Sequence, residues 1–413
     1  MPEQGACDHA LQACLEGVAP VFDIRLLDVL PWLPLALFSA LLALWYIQDI
    51  LVAFRTPRLD PRPNLPETGP LVTVIIPARN EAARIGACLE GLSRQSYRTF
   101  EVIVVDDDST DDTADVARRF AARLPALTIV SSKGLPHHWA GKCWACWQGA
   151  NRARGDWLLF LDADVAPQPD LLAALVDRAT VGRDMITLVP LIHLTSLAER
   201  LVLPPFIGLI SAIYPFDRVN DPSSPLAFAI GQCIMMRRDV YIAVDGHRAV
   251  HGSVLEDMDL ARIVKQSGYA LDAAIAPDLL EVRMYNGWET LTEGLKKNAI
   301  AGYRSGGIRS GLMGLRLGLM AVMPWNMLIA GQTLPLLGGD PALAQALTLA
   351  GVALFMIGAL CWGVVVHHRF RISPFWGALY GPGTAVYFTL AAQALLQIRS
   401  GKGVEWKGRM FTH

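Results

Sequence analysis

Apolar positions fall into two patterns along this chain. Toward both ends they run together almost without charge; in the middle they come in strand-length blocks separated by amphipathic stretches. Residues 29–47 carry no charge, and about twenty such residues cross a bilayer core. Glu3, Asp8, Glu16, Asp23 and Asp28 precede the block, where a cleaved export signal carries basic residues, so it reads as an anchor. Arg55, Arg58 and Arg62 follow, and the positive-inside rule then puts the next region on the cytoplasmic side of the inner membrane. The proline-rich stretch 57–70 reads as a semi-rigid spacer. Near the other end, 317–337 and 342–366 predict a helical hairpin turned at Gly338, Gly339, Asp340 and Pro341, which makes the protein multi-pass. A last apolar block, 375–398, has basic residues on both sides, which a single crossing does not satisfy. Gly381, Pro382 and Gly383 within it leave a re-entrant or interfacial path open.

The central blocks predict an α/β domain with a mostly parallel sheet. Strands are expected over 71–76, 100–105, 127–130, 157–161 and 185–189, and helices over 81–94, 110–123, 142–153 and 169–180. The expected organisation is an extracytoplasmic segment 1–28, an anchor 29–54, a linker 55–70 and a catalytic-type domain 71–305. A membrane region 306–398 and a basic tail 399–413 complete it.

Composition sharpens this picture in three ways. Of 413 residues, 53% are hydrophobic and 18% charged, against about 25% charged in soluble domains, which argues against a disordered or wholly soluble chain. The 36 basic and 38 acidic residues nearly cancel, so no global field attracts nucleic acid, and none is expected as a partner. Seven cysteines, an odd number scattered through apolar surroundings, read as free thiols of a reducing compartment.

In a parallel sheet, ligands bind beyond the carboxyl ends of the strands. Three such ends carry polar clusters: Pro77-Ala78-Arg79-Asn80-Glu81, Asp106-Asp107-Asp108-Ser109-Thr110-Asp111, and Asp162-Ala163-Asp164. Each alone is equally read as a helix cap or a solvated turn; on consecutive strand ends they point together to a site. Asp162 and Asp164 can hold one hard divalent ion while a diphosphate supplies further ligands. Glu256-Asp257 opens an amphipathic run, as a cap or as a general base taking a proton from an acceptor hydroxyl. Gly231-Gln232-Cys233 reads as an acceptor-pocket lining or a plain strand turn.

These motifs, with Gly141-Lys142, occur in the order and spacing of family 2 glycosyltransferases, and the chain resembles their membrane-anchored branch. The resemblance covers about 70–305 and the tail. His138-Trp139-Ala140-Gly141-Lys142, Leu197-Ala198-Glu199-Arg200, Tyr214-Pro215-Phe216 and Trp406-Lys407-Gly408-Arg409 are similar to hopene-associated glycosyltransferases and related polyisoprenoid or carotenoid sugar transferases. It implies a GT-A nucleotide-diphospho-sugar transferase domain, α/β in class. Asp106 and Asp107, with Pro77, Arg79 and Glu81, would surround the nucleotide, and Lys142 would sit near the diphosphate. Asp162 and Asp164 would hold Mn or Mg and the donor, and Asp257 would be the base of a single inverting displacement. Glu256, Gly231, Gln232, Trp406 and Arg409 would face the acceptor. The second motif has Asp108 where the family usually has glycine. The Gln-x-x-Arg-Trp element of processive synthases is missing after Asp257, so one sugar per lipid acceptor is expected.

Two apolar segments bear on the acceptor. Residues 201–216, interrupted by Pro204-Pro205, read as a buried core element or an interfacial segment, and 287–304 can lie along a membrane surface. Rival chemistries lack their residues. Cys143 and Cys146 have no second pair for zinc, and Gly141-Lys142 lacks the glycine and Ser/Thr of a phosphate-binding loop. A polyprenyl-phosphate sugar synthase and a non-enzymatic membrane scaffold remain as alternatives.

Overall fold

The computed structural model describes residues 30–400 apart from 125, 286 and 306, together with strands 404–406 and 409–411. The segment expected at 1–28 lies outside the described residues. The strands are β1 (Val72–Ala78), β2 (Phe100–Asp106), β3 (Leu127–Ser131), β4 (Trp157–Leu161), β5 (Val165–Pro167), β6 (Met185–Val189), β7 (Leu191–Ile192), β8 (Cys233–Arg237), β9 (Leu271–Ile275) and β10 (Leu280–Val282). Seven of them form one sheet in the order β3-β2-β1-β4-β8-β6-β9, parallel except where β8 runs against β4 and β6. A smaller sheet, β5-β10-β7, lies beside it.

Because side chains alternate across a strand, each strand feeds two cores. Val74, Ile76, Val102 and Val104 join one, which continues into the apolar helices of both chain ends. Ile75, Ile103 and Val105 join the other. Burial on both faces explains why β1, β2 and β4 read as continuous apolar runs rather than alternating ones.

The helices, in chain order, are α1 (Leu33–Arg55), α2 (Ile85–Ser93), α3 (Thr113–Arg118), α4 (Gly141–Ala150), α5 (Leu171–Ala179), α6 (Leu197–Ile213), α7 (Phe216–Val219), α8 (Arg238–Ala243), α9 (Gly246–Ala249), α10 (Glu256–Gln266), α11 (Trp288–Ser305), α12 (Gly307–Thr333), α13 (Pro341–Phe370) and α14 (Tyr380–Arg399). The four helices expected in the domain are all shorter than the sequence pattern predicts, and the late starts of two of them have one reason. The loops after β1 and β2 brace each other before either helix starts. Asn80 Oδ1 accepts from the Thr110 N–H (2.8 Å), the Glu81 N–H donates to Thr113 Oγ1 (2.8 Å), and the Ala82 N–H donates to Asp111 (3.1 Å). Residues 81–84 and 110–112 are therefore loop, and α2 and α3 begin only at Ile85 and Thr113.

The described residues contain four segments long and apolar enough to cross a membrane: Leu30–Arg55, Leu197–Val219, Gly307–Thr333 and Pro341–Phe370. The Pro204-Pro205 pair does not interrupt the second. A capping box of Ser196 and Glu199 starts α6, which continues through both prolines. Both of its ends are tied to the α/β domain. His193, just before it, donates its N–H to Val282 of β10, and Asn220, just after it, exchanges two hydrogen bonds with Ala273 of β9. Its buried face packs against α12, α14 and α1. The hairpin at Gly338–Pro341 is present, with Gly338 left-handed (φ 76°) and Asp340 capping α13. The last apolar block begins with a short 3-10 segment, Pro374–Leu379, which folds back on α13 before α14 starts. A hairpin of β11 (Val404–Trp406) and β12 (Arg409–Phe411) pairs Trp406 with Arg409 and packs its backbone on α11 and α14.

Candidate active site

Four chain segments meet where β4 ends. Lys142, in the first turn of α4, places its ammonium 2.8 Å from Oδ1 of Asp162 and 3.0 Å from Oε1 of Glu256. Asp257 Oδ2 accepts from the Gly231 N–H at 2.8 Å, and its Oδ1 from the Met258 N–H at 2.8 Å. Asp162 is fixed in turn by its own N–H, which donates to the Gln232 carbonyl (3.2 Å). Gly231 is required by close approach. A Cβ there would lie 2.6 Å from Lys142 Nζ, 3.3 Å from Glu256 and 3.4 Å from Asp257. The backbone at 231–232 thus joins the β4 end to the start of α10, and Gln232 itself is buried.

Charges in this cluster shape one another. Burial acts against the Lys142 charge, but Asp162 and Glu256 outweigh it and hold the ammonium well above the ordinary lysine range. Burial pushes the Glu256 carboxyl up, and Lys142 more than reverses that, so the net shift is downward. Asp257 goes the other way. Burial, helped by the Glu256 charge, raises it to about 6, against the pull of Lys142 and the two backbone N–H groups. Two adjacent carboxyls pushed apart in this way give one fixed anion and one group able to change protonation near neutrality.

Two residues that sequence reasoning did not select belong here. Lys297 of α11 feels the charges of Glu256, Asp257 and Asp162; burial is the first cause of its lowered pKa. The amphipathic pattern of α11 located its apolar side, with Leu291 and Leu295 buried, but not what its lysine faced. His247 lies buried beneath the cluster. Its backbone N–H donates to the Tyr241 hydroxyl (3.1 Å), the same hydroxyl hydrogen-bonds its Nδ1 (3.0 Å), and burial lowers its pKa to about 4. Nothing in its local sequence signalled this.

The residues expected to surround the nucleotide cluster at the neighbouring strand ends. Asp106 closes β2 opposite Ala78 and accepts from the Ser109 N–H (3.2 Å). Arg79 donates to the Asp107 carbonyl (3.2 Å). Asp107 donates its N–H to the Ala78 carbonyl, and Glu81 accepts from Arg84 (3.2 Å). Pro77 lies on β1 opposite Val105. Asp108 adopts φ 58°, so the turn that glycine ordinarily makes is made here by an aspartate in the left-handed region. Trp406 and Arg409 have described backbones only, and their side chains lie outside the described residues.

Asp162 and Asp164 flank a turn between β4 and β5 and are both half-buried. Asp164 lies close enough to Tyr285 and Cys88 for its charge to add to the burial that raises both. Among the described residues no group of three His, Cys, Asp or Glu side chains comes together to cage a metal. The two carboxylates offer oxygen ligands of the type a hard divalent cation takes, and by themselves do not make a closed structural site.

Residues 73–244 match the family model for glycosyl transferase family 2. The chain carries a family 2 glycosyltransferase domain. It is similar to the 4,4'-diaponeurosporenoate glycosyltransferase of Staphylococcus haemolyticus, 30% identical over 58% of this chain and 64% of that one. The enzyme of the same name from Staphylococcus aureus strain MRSA252 is 27% identical over 83% of this chain and 88% of its own. Among solved structures, a mannosyltransferase from Pyrobaculum calidifontis in complex with GDP-Man and Mn2+ covers 88% of this chain and 97% of its own, at 18% identity and a TM-score of 0.47. At that distance it carries no weight for the chemistry of this chain. The glycosyltransferase assignment and the GT-A expectation agree with the mostly parallel sheet and the polar clusters at its strand ends.

Proposed function

We propose that this protein moves a single sugar, with inversion, from a nucleoside-diphosphate donor to the hydroxyl of an isoprenoid-like membrane lipid, hopanoid or carotenoid in type. The observation that carries the reading is the convergence of Lys142, Asp162, Glu256 and Asp257, drawn from three distant stretches of sequence. The donor lies over the strand ends, its nucleotide against Pro77, Arg79, Glu81, Asp106 and Asp107 and its diphosphate toward Lys142. Asp257 takes the acceptor proton as the acceptor oxygen bonds to the anomeric carbon. The bond from that carbon to the diphosphate oxygen breaks, and Lys142 stabilises the charge arriving there. A divalent cation, Mn or Mg, held by Asp162 and Asp164, would neutralise the same diphosphate charge. Gly231, Gln232, Glu256, Trp406 and Arg409 bound the acceptor side.

The membrane reading is supported by where exposed large apolar side chains fall. Leu37, Leu44, Phe54, Ile308, Leu312, Ile329, Leu349, Met356 and Leu360 all lie on the end helices, as lipid-facing residues do. We place the catalytic domain 71–305 on the cytoplasmic side, between anchor 29–54 and membrane region 306–398. The flanking arginines support that side.

A second reading has one observation in its favour. The acceptor named for the staphylococcal relatives is a carboxylate, and an acidic acceptor, like a polyprenyl phosphate, needs no base. Asp257→Asn separates the two. With a hydroxyl acceptor kcat should fall about 100-fold or more; with an acidic acceptor it should hold within a few-fold. Lipid mass spectrometry of deletion and complemented cells identifies which acceptor is glycosylated. Unchanged lipids together with no nucleotide-sugar binding by calorimetry would favour a scaffold and overturn the enzymatic reading.

A further inference from the structure

Away from the catalytic cluster, α1, α6 and α13 enclose a cavity lined by Asp49, Gly208, Ser211, Trp362, Arg369 and Phe370. It lies where the apolar helices meet the α/β domain. Asp278, between β9 and β10, forms ion pairs with both Arg58, three residues after α1, and Arg371, the residue that ends α13. The Leu59 N–H donates to the Ile275 carbonyl and the Ile275 N–H to the Pro57 carbonyl, each at 2.9 Å, fastening the same junction. The basic residues that precede the last apolar block, 367–371, fall here.

Three arginines of the junction have carboxylate partners, and Arg369 does not. Arg316 pairs with Asp49, and Arg58 and Arg371 share Asp278. Arg369 makes no ion pair with a described residue, and its Nη1 is buried without a hydrogen-bond partner among them. The indole N–H of Trp362 on the same wall is likewise buried and unpartnered. Trp362 is held in place, stacked on Tyr380 at 4.2 Å and backed by Gly208, whose missing Cβ leaves room for its ring. A guanidinium nitrogen and an indole N–H that are both buried with no acceptor are unfavourable unless an anion supplies one. Asp49 lines the same cavity, and its carboxylate is already engaged by Arg316.

We infer that this cavity binds the phosphate of an anionic phospholipid, with Arg369 and the Trp362 N–H as its donors. A lipid rather than a free anion is favoured by the rim. On the same turns of α1, Leu51 and Phe54 are exposed, and Phe54 stacks on His368 beside Arg369 (4.3 Å). These give an acyl chain an apolar surface while the phosphate reaches inward. Bound there, the lipid ties α1, α6 and α13 together at the level of Asp278 and fixes the height of the catalytic domain above the bilayer. The inference rests on the membrane embedding proposed above and is independent of which acceptor is used.

The test uses the full chain in neutral detergent. Phosphatidylglycerol should raise Tm by several degrees over an equal amount of phosphatidylcholine, and Arg369→Met should lose that response. Arg62→Gln, in the exposed linker, should keep it. Arg369→Met should also melt at or above the wild-type temperature without lipid, because it removes a half-buried charge that lacks an ion-pair partner among the described residues. Native mass spectrometry of the wild type, which needs no variant, should find one phosphatidylglycerol retained per chain. An equal lipid response in Arg369→Met, no retained anionic lipid, or full reproduction of the Tm rise by millimolar inorganic phosphate would each overturn the lipid site. Recovery of the chain in the soluble fraction without detergent would overturn the membrane embedding as well.

Discussion

Gly231→Ala is the smallest change that tests the geometry of the catalytic cluster. Its methyl would sit 2.6 Å from Lys142 Nζ, while its distances to Glu256 and Asp257, 3.3 and 3.4 Å, are close to ordinary contact. The carboxylates need give by no more than a few tenths of an ångström, and the flexible lysine must give by about 0.8 Å. Its ion pairs start at 2.8 Å to Asp162 and 3.0 Å to Glu256. At an effective dielectric of about 20, stretching one such pair by that much weakens it by about 1.3 kcal/mol. With 35% of the lysine side chain exposed, water recovers part of this for the resting enzyme. A diphosphate in the same place meets the displaced ammonium with less screening. kcat/KM for the donor should fall about 10- to 100-fold, with Tm in detergent unchanged within about 1 °C because no buried apolar contact is lost. The assay is transfer from a nucleotide sugar to extracted lipid, followed by mass spectrometry beside a melting curve. Wild-type kcat/KM in the variant would refute the placement of Lys142 at the donor. A large fall in Tm would show instead that Gly231 serves folding.

Further outcomes follow from the same charges. If Asp257 is the base, kcat/KM rises with pH through an apparent pKa near 6, the value to which burial raises its carboxyl, rather than near 4. A pH–rate profile reads this directly. Lys297→Met removes a positive charge that Asp257 and Glu256 feel, so the acid limb should move to higher pH while Tm holds; a limb that stays in place would remove Lys297 from the site. Asp164→Asn should raise the Mn concentration for half-maximal activity about tenfold or more with little effect on melting. His247, neutral in the fold with a pKa lowered to about 4, takes up a proton in the unfolded chain near 6.5. Its contribution is complete above pH 6.5 and is lost as pH falls toward 4, by about 3 kcal/mol as an order of magnitude. His247→Phe should flatten that part of the pH–stability curve, and an unchanged slope would count against the buried neutral form.

Sequence alone determined the classes of element and the chemistry at the strand ends, because each is local. Strand-length apolar runs bounded by polar residues have one reading once they alternate with amphipathic stretches, and the five expected strands are β1 to β4 and β6, within two residues at each end. The acidic and proline-bearing motifs close or directly follow those strands, so their position relative to the sheet came with them. The antiparallel β8 and the terminal β9 were not legible, since pairing a strand against β4 or β6 depends on distant segments. Helix starts at Ile85 and Thr113 were set by bonds between two loops about thirty residues apart, which no local propensity encodes. Tertiary structure alone decided whether Glu256-Asp257 was more than a cap. Folding brings the start of α10 against Lys142 and Gly231, and burial then separates the two carboxyls into a fixed anion and a group able to change protonation near neutrality. The same holds for Lys297, His247 and Arg369. A charge has its role from what surrounds it, and those surroundings come from segments far away in sequence.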